Sequence, residues 1–190
     1  MLDTPLTPTS YLVLGLVGHL GECTSYQMKQ VVSGSIGYFW SFPHSQLYAE
    51  PARLAEAGLL AEEREASGRR RRSYTLTKEG RDVLAAWLAE PSEQLTEIRD
   101  LALLKLHFGG QARLEDIVAL AEAAAGAHRR RLAEYEAIAS RRPAPDRQHL
   151  TTLDLGLRYE ATVVAFWEEV KTGAERGGHE TRPAPTNASQ

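Results

Sequence analysis

Four consecutive arginines, Arg69, Arg70, Arg71 and Arg72, are the most concentrated chemistry in this chain. A guanidinium keeps its charge at physiological pH and presents a planar fork of donors suited to phosphate oxygens. A second, uncharged set falls within one turn and a half of helix: His44, Ser45, Gln46 and Tyr48. The Gln46 amide can pair with an adenine edge, while the hydroxyls of Ser45 and Tyr48 suit phosphates. Tyr26 and Lys29 offer one more hydroxyl and one more cation earlier in the chain. This is the chemistry of recognition, not of bond breaking. No Ser/His/Asp or Cys/His grouping has a local signature and no histidine pair has ligand spacing, so neither an enzyme, a metal nor a cofactor is expected. Gly15, Gly18 and Gly21 fall in and just after an expected helix instead of following a strand, which rejects a nucleotide-phosphate loop.

The elements that must carry these residues follow from periodicity and punctuation. Thr9 or Ser10 can cap a first helix rich in leucine and valine, ending near Gly18 and Gly21. Ser25 offers the cap of a second, Tyr26 to Val32, with Tyr26, Met28 and Val31 or Val32 as packing candidates. A third is expected to begin near His44 or Ser45, with Leu47, Leu54 and Ala57 on one face and Gly58 as its stop. Pro51 removes a helical N–H and predicts a kink or a restart. Leu59 to Ala66 and Ser73 to Leu76 read as two strands around a turn at Ser67 and Gly68, with the arginines by the tip. Thr77 then caps a fourth helix that Pro91 ends. Three helices, a basic hairpin and a closing helix give the order of a winged helix-turn-helix. In that arrangement the third helix fits the major groove of DNA and the hairpin reaches the neighbouring backbone.

The fold class is therefore mainly α with a small two-stranded β-wing: a winged helix-turn-helix over residues 1–91, then a helical dimerisation and effector region over 92–172. Helices are expected over Ser92 to Phe108, Ala112 to about Ser140 and His149 to about Thr172, with Gly173 to Gln190 as a disordered tail. The last helix carries one apolar row of Leu153, Leu157 and Val164 beside another of Tyr159, Val163, Phe166 and Val170, together with Trp167. So wide an arc asks for two packing partners, one of them a second copy of the chain. Trp40, Trp87, Tyr159 and Trp167 outline either an aromatic effector pocket between the two halves or plain core. His107 and His128 read as capping or packing residues.

The formal net charge of −3 argues against indiscriminate coating of nucleic acid, so the local arginine run matters more than the sum. That run also has a bland reading as a solvated hairpin tip, and Tyr48 one as a packing residue. No apolar stretch approaches a membrane span and the N-terminus lacks the features of a signal peptide. Cys23, the single cysteine, suits a reducing cytosol, so a cytoplasmic protein is expected.

The runs TPTSYLVLGLVGHLGECTSYQMKQVV, FWSFPHSQLYAEPARLAEAGLLAEE and RRRSYTLTKEGRDVLAAWLAEP, in that order, resemble the PadR family of bacterial transcriptional regulators. Gln46-Leu47-Tyr48, Arg53-Leu54 with Gly58-Leu59, and Tyr74 through Thr77 with Gly80-Arg81 carry the resemblance. It covers residues 9 to 91 by motif, and the remainder matches the smaller-chain branch in length and layout. The resemblance implies a homodimer joined by C-terminal helices, a palindromic operator, repression, release by a small molecule, and no catalysis. One departure is that the family tends to place proline directly after the tyrosine, whereas here Ala49 follows Tyr48 and proline comes at position 51.

Overall fold

The computed structural model describes residues 5–65, 71–141 and 151–177. The chain divides into two compact units, residues 1–95 and 96–190.

In the first unit, α1 (Pro8–Leu20) starts two or three residues earlier than a cap at Thr9 or Ser10 would set it. Thr7 and Ser10 exchange hydrogen bonds in a capping box, and Pro8 fills the first helical position, where a missing N–H costs nothing. Gly18 lies within the helix, and the chain leaves it at Gly21, whose φ of 73° is the left-handed region that glycine tolerates. Helix α2 (Ser25–Ser33) is capped by Thr24, not Ser25, through a second capping box with Gln27. Met28 and Val32 are its buried residues, while Tyr26 points to solvent.

A short 3-10 turn over Ile36–Tyr38 leads to α3 (Gln46–Glu56). The helix runs through Pro51 without restarting. The proline ring is fully buried, and its packing offsets the lost backbone hydrogen bond. Strands β1 (Leu60–Arg64) and β2 (Arg72–Leu76) pair antiparallel in the register Leu60 to Leu76 and Glu62 to Tyr74. The turn expected at Ser67 and Gly68 lies outside the described residues. Helix α4 (Lys78–Ala89) is capped by Thr77, whose hydroxyl accepts from the Gly80 N–H. One core serves all of these elements: Val13, Leu14, Val17, Met28, Val32, Leu47, Leu54 and Leu59 are each at most 1% exposed.

The second unit departs from the sequence reading at its start. Residues 91–100 are not helical, and α5 spans only Leu101–His107, capped by Asp100. The Asp100 carboxylate accepts from the N–H groups of Ala102 and Leu103, which fixes the helix start there despite the apolar residues upstream. Helices α6 (Leu114–Ser140) and α7 (Thr152–Gly177) form the body of the unit. His128 meets Glu160, Arg129 meets Glu168 and Lys171 meets Glu122, so the two helices run antiparallel. Gly156 has no side chain because the Tyr135 ring occupies that space. Helix α7 continues through Gly177, so the tail expected from Gly173 begins no earlier than residue 178; residues 178–190 lie outside the described residues.

Candidate nucleic-acid interface

The N-terminal end of α3 is its open end. His44, Ser45 and Gln46 are exposed, and Tyr48 is 52% exposed, because the same helix commits Leu47, Pro51 and Leu54 to the core. Burial of one stripe turns the polar residues between them outward. Tyr48 therefore does not take the packing role. On α2, Tyr26 and Lys29 are exposed, and the Tyr26 hydroxyl accepts a hydrogen bond from Gln30 Nε2 at 3.2 Å.

Thr9 on α1 donates from its hydroxyl to Gln46 Oε1 at 2.8 Å. One helical position on, Ser10 is completely buried and receives Arg53 Nη2 at 3.0 Å, while Arg53 Nη1 donates to the Pro5 carbonyl. Arg53 is also in a bidentate pair with Glu50. The Arg53 hydrogen bonds, aided by that of Ser10, hold the Glu50 carboxyl below its ordinary value, and burial opposes them. Together these bonds lash the start of α1 to α3.

In the wing, strand alternation sends Arg71 and Arg72 to opposite faces. Arg71 is exposed and reaches the cap of α2, with Nη2 at 3.4 Å from Gln27 Oε1. Arg72 lies on the side of Glu62, 3.5 Å away, where Arg64 also binds the same carboxylate. Tyr74 is buried behind this cluster; burial first, then the Glu62 charge, pushes its phenol above the ordinary value. Arg69 and Arg70 lie outside the described residues. The described strand stems hold Glu62, Glu63 and Glu65 against Arg64, Arg71 and Arg72, so they are balanced in charge. Three residues join this surface that the sequence reading did not weigh there: Thr9, Gln27 and Arg64. Thr9 is read from sequence as a cap, and Gln27 has no signal of its own there; only the alternation Glu62-x-Arg64 signals that Arg64 shares a face with Arg72.

The remaining sequence-predicted residues divide between the units. Trp40 is 43% exposed, and Trp87 stacks on Tyr11 with ring centroids 4.6 Å apart. On α7, Val163 and Val170 pack toward α6, and Leu153, Leu157 and Val164 are half-buried. Tyr159 and Phe166 are 43% and 41% exposed. Trp167 corrects its own assignment to a partner-facing surface or an open pocket. It is fully buried against Ala121 and Ala125 of its own chain, because small residues on α6 leave room for the indole. His128 is paired with Glu160 at 2.6 Å, and His107 stands edge-on to Phe108. Burial and the neighbouring Glu22 charge push the Cys23 thiol up to about 11, so it stays protonated and inert. No group of residues suited to a metal ion is found among the described residues, and none of the described helices is long and apolar enough to cross a membrane.

Residues 13–86 match the transcriptional regulator PadR-like family, and residues 98–173 match the family described as virulence activator alpha C-term. The negative transcriptional regulator PadR of Bacillus subtilis (strain 168) is 31% identical over 100 residues, which is 52% of this chain and 54% of that protein. The aligned chain thus spans about half the length of that relative. The crystal structure of Bacillus subtilis PadR in complex with operator DNA superimposes with a TM-score of 0.77 at 24% identity, covering 88% of this chain and 99% of that one. The same protein in complex with p-coumaric acid gives 0.72 at 24% identity, covering 87% and 98%. These likenesses show the fold. Residues 13–86, which carry the quoted motifs and much of the core of the first unit, are thus similar to the family described as transcriptional regulator PadR-like.

Proposed function

We propose that this protein is a cytoplasmic, homodimeric regulator that binds a specific double-stranded operator through residues 1–91 and joins to its copy through residues 92–172. The observation that carries the reading is the exposed N-terminal end of α3, His44 to Tyr48, standing on a helix whose other face is wholly buried. Gln46 reads a base edge. Ser45, Tyr48, Tyr26 and Lys29 hold phosphates, and Arg69 to Arg72 grip the flanking backbone. Leu155, Tyr159 and Phe166 leave an exposed apolar strip on α7, 70%, 43% and 41% accessible, which suits a second copy. Leu104, Phe108, Ile117 and Leu120 line a further apolar groove of about 730 Å³. Two-fold symmetry then presents two reading helices to a palindromic site. By analogy with Bacillus subtilis PadR, named a negative regulator and solved with operator DNA and with p-coumaric acid, the action is repression, relieved by a small-molecule effector.

The test is a gel-shift titration over a salt series with DNA from upstream of the coding region. Sequence-selective binding is expected. Replacing Arg69 to Arg72 with alanine should weaken binding to every duplex and reduce the slope of log K against log salt by about 0.9 for each phosphate no longer neutralised. Binding that ignores sequence at moderate salt overturns the specific regulator, and an unchanged slope removes the wing from the interface.

A further inference from the structure

The hydrogen bond between Thr9 and Gln46 spans 37 positions of sequence and joins α1 to the first residue of α3. It matters because an amide side chain can read bases in two senses. A free glutamine pairs with adenine in both directions at once, its oxygen accepting from N6 and its nitrogen donating to N7. Here Thr9 takes one of the two lone pairs of Oε1 and restrains the amide plane, so the oxygen is a poorer partner for the adenine N6 donor while both Nε2 hydrogens stay free to meet DNA.

We infer that Thr9 is a positioning residue for specificity: through Gln46 it selects base edges that present acceptors. Guanine offers the two acceptors N7 and O6 in the major groove and thymine offers O4, whereas adenine sets the N6 donor beside its N7 and cytosine offers the N4 donor. The inference rests on the proposal that α3 is the reading helix.

Thr9 is held well enough to perform this task. Its neighbour Ser10 is fully buried and bonded to Arg53, and Arg53 also ties down Pro5, so the first turn of α1 cannot slide along α3 without breaking a partly buried hydrogen bond. The capping box of Thr7 with Ser10 fixes that turn from its other end. Thr9 itself stays half-exposed beside exposed Gln46.

The experiment is enrichment of binding sites from a random duplex library by full-length protein. Wild type is compared with Thr9→Val, Thr9→Ser, Gln46→Ala and the Thr9→Val/Gln46→Ala double variant, each checked by thermal melting. Thr9→Ala serves as a second hydroxyl deletion without the branched side chain. Wild type should prefer guanine or thymine at one position in each half-site. Loss of the hydroxyl should shift that position toward adenine by about tenfold, the scale of one bidentate base pairing, with the other positions and the salt slope retained. Thr9→Ser should keep the wild-type preference, and Thr9→Val should change nothing further once Gln46 is alanine. An unaltered preference in both hydroxyl deletions overturns the inference alone. The same shift in the Gln46→Ala background also overturns it, since Thr9 would then act through something else. Failure of wild type to enrich any sequence removes the regulator reading, and the inference with it.

Discussion

Glu50 and Arg53 form a bidentate pair that is more than a surface ornament, because Arg53 also holds Ser10 and Pro5. The Glu50 carboxyl lies below its ordinary 4.5 in the folded chain. Its contribution to stability is therefore complete above 4.5 and is lost as pH falls through the lower folded value. Glu50→Gln should cost about 1 kcal/mol at neutral pH, the worth of a charge-assisted hydrogen bond that is partly screened by solvent. The variant should also lose less stability than wild type on acidification below 4.5; urea melts across that range check both, and parallel acid limbs would contradict the assignment. Sequence reading found Arg53 as a motif residue but not this role, since its partners lie 43 and 48 positions away. Local patterns report what a residue can donate; they are silent on which distant group receives it.

At the scale of elements, the wing is held to the helices by an unusually close approach at Gly80. The first turn of α4 lies directly on the Leu59 carbonyl, which also accepts from the Thr77 N–H and hydroxyl. A methyl group at position 80 would run into that carbonyl oxygen. Gly80→Ala should destabilise the protein by about 3 kcal/mol, at the upper end of overpacking costs, because backbone and not a flexible side chain must move. Chemical denaturation measures it, and a loss under about 0.5 kcal/mol, the scale of an ordinary surface change, would show that the wing can shift. The elements themselves were largely legible. Thr77 as a cap, Gly58 at the end of α3, and the strand alternation around Tyr74 all follow from local chemistry. The failures have physical causes. Residues 91–100 have helix-compatible composition, yet the Asp100 cap starts α5 only at Leu101. Pro51 predicts a kink or a restart, and the helix does not restart there, its ring being fully buried.

For the whole molecule, the paired helices α6 and α7 separate the residues of one sequence stripe into two jobs. Trp167, Val163 and Val170 close the unit on itself, while Leu155 and Phe166 stay outside. The Leu155→Glu/Phe166→Glu double variant should therefore halve the scattering mass without abolishing cooperative melting, since both side chains already meet water. A dimer that persists would move the interface off α7. Truncating α7 would be a poorer test, because it would also remove the buried indole from the core. That indole has one more consequence. Trp167 is sealed in the second unit with no acceptor for its Nε1 among the described residues, while Trp40 and Trp87 are about two-fifths exposed in the first. Intrinsic fluorescence is thus partitioned by address: a quencher dissolved in water reaches the tryptophans of one unit and is denied that of the other. The protein carries its own optical labels, and whether the two units melt together or in turn can be followed without attaching a dye.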